Sequence, residues 1–255
     1  MQVEIMAATG AKGTPVKPSL ASVTAVILAG GLGTRLRSVI ADRPKGLALI
    51  HGRPFLTYLL DQLAAAGIQD AVLCTGYRGE QVRATLGDSH GNLRLRYSQE
   101  PSPLGTGGAI RFALPLLTSA SLVVVNGDSF CEVNLEAFWT WHWARQAQAT
   151  LLLTEVPDAQ RYGQVCVDAD GAVVSFVEKG TGSTSGLINA GMYFLTQPVL
   201  CSIPSTGAVS LERETFPAWI GHGLYGYRSA GRFLDIGTPE SYAMAARFFA
   251  EKVPV

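Results

Sequence analysis

The stretch A-V-I-L-A-G-G-L-G-T-R-L at residues 25–36 decides the fold of this chain and indicates its chemistry. Its first four residues are an apolar run that predicts a short buried strand. This strand leads directly into a loop with glycine at three of the four positions 30–33. Such a loop lets backbone N–H groups approach phosphate oxygens closely. Arg35 and Lys45 add two positive charges beside it, so we expect a site for a polyphosphate.

Two familiar phosphate-binding motifs do not fit this loop. A Rossmann fingerprint, G-x-G-x-x-G, fails because Leu36 stands where the third glycine belongs. A Walker A loop, G-x-x-x-x-G-K-[ST], is absent from the sequence. A structural glycine-rich turn is the remaining alternative, and Arg35 together with Pro44-Lys45 favours phosphate binding over it.

The composition limits the classes to which the protein can belong. The 255 residues are 47% apolar, enough for one large α/β domain. The 20 basic and 20 acidic residues balance, which argues against a nucleic-acid or anionic-membrane surface. The four cysteines and the four histidines are scattered, which is typical of a cytoplasmic protein with reduced thiols and indicates no metal cluster built from them.

The chain carries no apolar run of membrane-spanning length. Residues 1–22 contain glycine, proline and lysine and no continuous apolar segment, so they do not resemble a signal peptide. We predict a flexible leader over residues 1–22 and a single domain over residues 23–255.

Strand and helix signals alternate through the first half of the chain. The predicted strands are 25–28, 70–75, 93–97 and 122–126, and the predicted helices are 54–66, 79–86 and 107–117. This order favours an α/β fold with a Rossmann-like, doubly wound mixed sheet. The second half is richer in strands, predicted at 150–156, 163–168, 172–178, 192–195 and 224–228, before a helix at 239–250.

Two local features of the second half are also interpreted from the residues. Asp170-Gly171 predicts a hairpin turn. The aromatic run Trp139–Trp143 predicts a helix whose rings serve the core, and His142 within it receives no catalytic role.

A second chemical motif, V-V-V-N-G-D-S at residues 123–129, ends an apolar strand in a carboxylate. Ligands of open α/β sheets bind beyond the carboxyl ends of strands, so Asp128 should face the same cleft as the glycine loop. A carboxylate among phosphate oxygens is explained by a Mg²⁺ ion between them. The alternative is that Asp128 only caps the following turn.

The order of the motifs resembles that of the sugar-1-phosphate nucleotidyltransferases. The shared motifs are G-G-L-G-T-R-L, P-K, P-L-G-T-G-G, N-G-D-S, E-K, N-A-G and D-I-G-T-P, within residues 24–250. Members of this family join a nucleoside triphosphate to a sugar 1-phosphate and release pyrophosphate. The stretches L-A-G-G-L-G-T-R-L-R-S-V, P-L-G-T-G-G-A-I and N-G-D-S-F are most similar to D-glycero-D-manno-heptose 1-phosphate guanylyltransferases. The chain departs from the family at Gly46, where many members carry a second proline. Glycine in place of proline is expected to change the stiffness of the loop.

The resemblance implies roles for individual residues. The implied nucleotide-binding residues are Leu28, Gly30, Gly31, Gly33, Thr34, Glu100, Gly105 and Thr106. The implied catalytic residues are Arg35, Lys45 and Lys179. The implied sugar-binding residues are Gly163, Glu178 and Asn189, in a smaller β-rich sugar-binding part beside a mobile loop at 180–186. The implied Mg²⁺ ligands are Asp128 and Asp235.

Some of these residues also have a purely structural interpretation. Asp235 precedes Thr238 and Pro239, which together signal a helix N-terminus, and this signal does not involve Asp235 itself. The pair Glu178-Lys179, taken singly, is a solvated pair at a strand end.

Glu100 carries the prediction about the base. It lies five residues before Gly105, in the loop where the family places the base, and guanylyl members tend to carry Glu there while thymidylyl and uridylyl members tend to carry Gln. Guanine offers two N–H donors on one edge, which match a carboxylate, whereas uracil and thymine are met better by an amide. An unmatched buried carboxylate is costly, which gives discrimination. The alternative is an exposed loop charge.

The expected partners are therefore GTP and a sugar 1-phosphate, with no nucleic acid and no membrane, and homo-oligomer formation is left open. Mannose 1-phosphate, or another base, is the alternative within the family. A non-catalytic regulatory member of the fold is disfavoured because Arg35, Lys45 and both aspartates are kept. A dehydrogenase is disfavoured by the missing third glycine.

Overall fold

The computed structural model describes residues 17–31, 33–36, 39–40, 42–159, 161–177 and 185–251. The helices are α1 (Phe55–Ala65), α2 (Gly79–Leu86), α3 (Gly105–Ala113), α4 (Leu135–Ala144), α5 (Gln197–Ser202), α6 (Phe216–Ala218) and α7 (Pro239–Ala250). The strands are β1 (Thr24–Ala29), β2 (Leu49–Ile50), β3 (Arg53–Pro54), β4 (Asp70–Thr75), β5 (Ser89–His90), β6 (Leu93–Gln99), β7 (Ser121–Asn126), β8 (Ser129–Cys131), β9 (Ala149–Val156), β10 (Gln164–Val167), β11 (Val173–Val177), β12 (Gly186–Thr196), β13 (Leu224–Ser229) and β14 (Phe233–Asp235). None of these helices has both the length and the apolarity needed to span a bilayer.

A ten-stranded mixed sheet forms the centre of the described part of the chain. Strands β6, β4, β1 and β7 are adjacent and parallel, and β5 pairs antiparallel with β6 at one edge. The long strand β12 runs antiparallel to β7 and also pairs with β9 and β10. Strand β13 lies parallel to β9, and β10 and β11 form a hairpin. The predicted mixed α/β sheet, with its strand-rich second half, is confirmed.

Apolar side chains cover both faces of this sheet. On one face, α1 and α4 contribute Phe55 and Phe138 to the core, and on the other face α3 and α5 contribute Ile110 and Leu200. Strand β1 supplies Ala25 and Ile27 to the first core and Val26 to the second. A strand buried on both faces explains the uninterrupted apolar run that begins the diagnostic stretch.

Most predicted elements lie where the sequence places them, with one helix displaced. The strand at 70–75 and the helices at 79–86 and 239–250 have the predicted bounds, and α1 ends just before Gly67, whose φ is +85°. The predicted helix at 107–117 is wrong at both ends, because α3 begins at Gly105 and gives way after Ala113 to a 3₁₀ turn at Leu114–Leu116. Pro115 has no N–H for the next α-helical hydrogen bond, which accounts for the change.

Helix α4 confirms the structural interpretation of the aromatic run. The Asn134 side chain accepts a hydrogen bond from Ala137 N at 2.9 Å and caps the helix. Trp139 is buried, and His142 is buried with its Nδ1 2.7 Å from Thr150 Oγ1. Burial lowers the pKa of His142 to about 4, so the ring is neutral near pH 7.

The segment predicted as a leader is described only from residue 17 onward, and residues 1–16 lie outside the described residues. Residues 17–22 pack against α4. Trp139 Nε1 donates a hydrogen bond to Pro18 O at 2.6 Å, Leu20 is buried in the core, and Lys17 forms an ion pair with Glu136. The division at residue 22 stays a prediction, and residues 18–22 are already part of the packed structure.

Candidate active site

A cleft lies at the carboxyl ends of β1, β4 and β7, the edge where ligands of open α/β sheets bind. It brings together most of the residues that the sequence singles out, separated by up to a hundred positions in the chain. The predicted site residues that line it are Leu28, Gly30, Gly31, Gly33, Thr34, Arg35, Lys45, Glu100, Gly105, Thr106 and Asp128. Their assembly at one edge follows from the parallel strands, whereas their individual roles stay predictions.

The glycine loop leaves β1 at one wall of the cleft. Gly33 has a φ of +58°, a conformation that side chains disfavour. Gly30 is required for a different reason, since a Cβ there would lie 2.7 Å from Glu100 Oε1. The loop then enters a 3₁₀ turn at Thr34–Leu36 that carries the exposed Arg35 to the cleft.

The two predicted metal-binding aspartates meet beside Lys45. Strands β8 and β14 form a separate antiparallel pair in which Asp235 is opposite Ser129, and Ile236 N donates to Asp128 O at 3.0 Å. Lys45 Nζ lies between the two carboxylates, 2.6 Å from Asp128 Oδ2 and 3.9 Å from Asp235 Oδ1. Lys45 thus lies within ion-pair distance of both aspartates.

Tyr162 is a functional candidate that the sequence signalled only through its neighbour Gly163. Its hydroxyl donates to Asp235 Oδ2 at 3.4 Å, and its ring packs edge-on against Phe233. Burial raises the pKa of Tyr162 to about 12, with Asp235 acting in the same direction, so the hydroxyl keeps its proton. Gly237 N donates to the other oxygen of Asp235. Asp235 is therefore held in place by groups on two separate segments.

Asp128 and Asp235 fit a hard divalent cation, provided that substrate phosphates and waters supply its other ligands. Among the described ranges, no group of three or more His, Cys, Asp or Glu residues gathers around a common point. Asp128 and Asp235 supply two carboxylates, and a Mg²⁺ ion held by one or two carboxylates takes its remaining ligands from waters and substrate phosphates. The residues thus fit a metal that arrives with a phosphate ligand.

Glu100 lies at the end of β6 and is half-buried in the cleft. Leu104 N donates to its Oε2 at 3.2 Å, while its Oε1 lies so close to Gly30 and Gly76 that a Cβ on either would come within 2.7 or 2.8 Å. Burial raises the pKa of Glu100, and the Leu104 N–H opposes this rise. Glu100 is therefore not an exposed loop charge, because its carboxylate lines the cleft, and its role in binding the base stays a prediction.

The loop at residues 104–108, here called the base loop because the family resemblance implies that it receives the base, is anchored by a segment that sequence reasoning missed. Gly107 N donates to Val209 O at 2.8 Å, and Val209 N donates to Leu104 O at 2.8 Å. Thr106 Oγ1 donates to Glu212 Oε2 at 2.8 Å. The Thr106 hydroxyl is thus used within the protein, although the residue lines the cleft.

The predicted sugar-binding residues are only partly described. Glu178 and Lys179 lie outside the described residues, as do residues 180–184 of the glycine-rich loop. Asn189, on β12, donates from Nδ2 to the Tyr193 hydroxyl at 2.9 Å and accepts from Gly191 N at 2.8 Å. It does not line the cleft itself but connects to it through Tyr193 and Asn126.

Comparison with known proteins identifies the family. The profile of the nucleotidyl transferase family matches residues 24–252, nearly the whole chain. The chain belongs to the nucleotidyl transferase family. The family predicted from the motifs is confirmed.

The relatives of this nucleotidyl transferase are named for two different sugar phosphates. It is 39% identical over 224 residues to the mannose-1-phosphate guanylyltransferase of Mycobacterium tuberculosis, across 86% of this chain and 62% of that protein. It is 36% identical over 224 residues to the D-glycero-alpha-D-manno-heptose 1-phosphate guanylyltransferase of Aneurinibacillus thermoaerophilus, across 88% of this chain and 96% of that one. The chain thus spans less than two thirds of the first relative and nearly all of the second.

A solved structure gives the same answer for the fold. HddC from Yersinia pseudotuberculosis, complexed with GMP-PN, superposes with a TM-score of 0.78 at 34% identity, over 89% of this nucleotidyl transferase and 99% of that chain. The predicted fold class is confirmed by this neighbour as well as by the sheet itself.

Proposed function

We propose that this nucleotidyl transferase transfers GMP from GTP to a sugar 1-phosphate, with D-glycero-D-manno-heptose 1-phosphate as the favoured acceptor. The observation that carries the proposal is the Glu100 carboxylate, fixed against Gly30 in the same cleft as the glycine loop, Lys45 and Asp128. A carboxylate is a suitable acceptor for the two N–H donors on one edge of guanine, which supports this assignment. The guanylyltransferase names of both relatives, and the GMP-PN in the HddC structure, support the base assignment.

The proposed reaction is a direct in-line transfer. An oxygen of the sugar 1-phosphate attacks the α-phosphorus of GTP, the bond from that phosphorus to the bridging oxygen breaks, and pyrophosphate leaves. The nucleophile is already anionic, so the step needs no general base. Catalysis then consists of positioning two anions and neutralising their charge.

The residues of the cleft divide this task between them. The amides of the glycine loop and Arg35 would hold the triphosphate, as the N–H groups of such loops hold anions. Lys45, whose side chain is 12% exposed, would stabilise the charge that develops at the α-phosphate. Lys179 keeps its proposed role of holding the sugar phosphate, although it lies outside the described residues.

We further propose that Asp128 and Asp235 hold Mg²⁺ together with the substrate phosphates. When bound, the ion would neutralise phosphate oxygens and align the reacting groups. The Tyr162 hydroxyl and the Gly237 N–H orient Asp235 for this purpose, and Ser129 Oγ lies 3.2 Å from Asp128 Oδ1.

Mannose 1-phosphate is the second candidate acceptor. It is favoured by the higher identity to the mannose-1-phosphate enzyme, 39% against 36%. The heptose candidate is favoured by the stretches at residues 28–39, 103–110 and 126–130, which are most similar to heptose 1-phosphate guanylyltransferases. We also propose that the enzyme works in the cytoplasm, since Cys74, Cys131, Cys166 and Cys201 are all free thiols.

Pyrophosphate release from the purified chain tests the proposal. GTP, ATP, CTP, UTP and dTTP would each be paired with heptose, mannose and glucose 1-phosphates in the presence of Mg²⁺. We expect release with GTP and the heptose phosphate above all other pairs. Release with GTP and mannose 1-phosphate would transfer the proposal to the second acceptor, and release only with another nucleotide would overturn the role of Glu100.

A further inference from the structure

A network of half-buried and buried polar side chains connects the base loop to β12, the strand that carries Asn189. Its centre is Glu212, which lies on the π-helical turn Leu211–Thr215. Glu212 Oε2 accepts from Thr106 Oγ1 at 2.8 Å and from Ser210 Oγ at 2.9 Å. Glu212 Oε1 accepts from the Tyr193 hydroxyl at 3.3 Å. One carboxylate therefore bonds both to the base loop and to β12.

The direction of each hydrogen bond in this network is fixed by chemistry. Leu211 N donates to Thr106 Oγ1 at 2.8 Å, so the Thr106 proton is directed to Glu212. The Tyr193 hydroxyl accepts from Asn189 Nδ2 and interacts with the Asn126 side chain, so its own proton is likewise directed to Glu212. Tyr193 is fully buried, and burial raises the pKa of its hydroxyl well above the usual value, so this proton stays in place.

The network has two arms, with Thr106 on one side of Glu212 and Tyr193 with Asn126 on the other. Each arm ends at the cleft. Thr106 lines the cleft beside Gly105, on the side where Glu100 would read the base. Asn126 lines it at the end of β7, next to Asp128, and a Cβ on Gly191 would lie 2.9 Å from its Nδ2. The buried Oδ1 of Asn126 has no hydrogen-bond partner among the described residues. This oxygen therefore has unused acceptor capacity, which a hydroxyl donor of a bound substrate would satisfy.

From this arrangement we propose that Glu212 is a positioning residue. It holds the base loop in place and, through Tyr193, orients the Asn126 amide that meets a substrate hydroxyl. The inference rests on the proposed function, because it assigns the two arms to the nucleotide and to the sugar phosphate. A half-buried carboxylate that accepts from three donors holds its partners in place, and loss of its charge leaves those donors without a strong acceptor. Both substrates therefore depend on Glu212, and each depends on its own arm.

Three variants separate the arms. Thr106→Val removes the hydroxyl of the base-loop arm, Tyr193→Phe removes the hydroxyl of the other arm, and Glu212→Gln removes the charge at the centre. Thr150→Val is the matched control, because it removes a buried hydroxyl that bonds His142 at 2.7 Å outside the cleft. KM for GTP, KM for the sugar phosphate, kcat and Tm would be measured for each, with GTP binding followed separately by calorimetry.

We expect the constants to split by arm. Thr106→Val raises KM and Kd for GTP about tenfold with the sugar-phosphate KM unchanged, Tyr193→Phe does the reverse, and Glu212→Gln raises both. Thr150→Val lowers Tm and leaves both constants unchanged. The inference is overturned if Glu212→Gln leaves both constants within about twofold of wild type, or if every variant shifts both together in proportion to its Tm.

Two further outcomes keep the two proposals separate. Wild-type protein that releases pyrophosphate but whose variants show no split would overturn the inference and leave the proposed function in place. Wild-type protein that is folded but inactive with every substrate pair would overturn the proposed function and the inference with it. If Glu212→Gln does not fold, the opposite shifts of Thr106→Val and Tyr193→Phe decide the matter, since each removes a single hydroxyl.

Discussion

Replacement of Glu100 by glutamine is the sharpest test of how this cleft selects its base. The substitution keeps the shape of the side chain and puts an amide where the carboxylate accepts from Leu104 N and faces Gly30. Guanine then meets one N–H₂ group in place of an acceptor oxygen. The variant therefore changes the hydrogen-bonding pattern and the charge without opening a cavity.

The size of the effect follows from the position of Glu100. Hydrogen bonds to a charged group contribute about 1.5–3 kcal/mol, and under the proposed function the half-buried carboxylate would accept two such bonds from guanine. We expect kcat/KM for GTP to fall about 100-fold in Glu100→Gln, because one contact is lost and the other is weakened. Wild-type enzyme should prefer GTP over ITP, which lacks the N2 amino group, by about tenfold or more.

The assay compares GTP with ITP in both proteins, with sugar phosphate saturating. Glu80→Gln is the control, because Glu80 is an exposed carboxylate that bonds Gln99 Nε2 at 2.9 Å outside the cleft. The pH adds a second readout. Burial raises the pKa of Glu100, so the GTP preference should weaken as the pH falls through that raised pKa and protonates the carboxylate.

The reasoning is refuted by either of two results. One is a wild-type enzyme that uses GTP and ITP equally well, since guanine would then not be read through its amino group. The other is a Glu100→Gln variant that keeps the wild-type GTP to ITP ratio while Glu80→Gln also behaves as wild type.

Three further predictions concern charge, burial and capping. Lys45→Met should lower kcat about 100- to 1000-fold with the fold intact by circular dichroism, and near-normal turnover would exclude Lys45 from charge stabilisation. His142 has a pKa of about 4 in the folded chain, below the unfolded value of 6.5, so its contribution to stability is fully present above pH 6.5 and is lost on acidification. The free energy of unfolding, measured in urea, should fall between pH 7 and pH 5 in wild type. In His142→Gln this fall should be smaller by about 2 kcal/mol. Thr238→Val removes the side-chain cap of α7, which Ser241 N bonds, and should cost about 1 kcal/mol in the same measurement, whereas an unchanged midpoint would assign the cap no weight.

The nucleotide side of the site could be predicted from sequence because its signals are local. An apolar strand followed by glycines predicts both β1 and the loop at its carboxyl end, and the same reasoning places Asp128 after β7. Since β1 pairs with β7 in parallel, the two loops share one edge without any further information. Glu100 follows β6 at the same edge, which explains why it faces the glycine loop.

The rest of the site depends on contacts that no local pattern encodes. Asp235 reaches Asp128 only because β8 and β14, three residues each, pair with one another, and strands this short carry no readable alternation. The bond from Thr106 to Glu212 joins residues 106 positions apart, and Glu212 lies in a π-helical turn that none of the sequence motifs includes. The Ser210 hydroxyl, which accepts from Arg213 N, is the one local signal of that turn, and it marks an N-terminus rather than a site.

At Gly46, where the chain departs from the family, the neighbouring helix α1 packs against the backbone. Gly46 lies in the 3₁₀ turn Lys45–Leu47 and has no left-handed φ, so its backbone alone does not require glycine. A Cβ at this position would lie 2.8 Å from Leu56 Cγ, in the first turn of α1. The space that a proline ring would need is thus filled by Leu56, which is fully buried in the core. Because α1 packs directly against the turn, the stiffness that proline would give is replaced by contact with the helix, and Lys45 still reaches Asp128 at 2.6 Å.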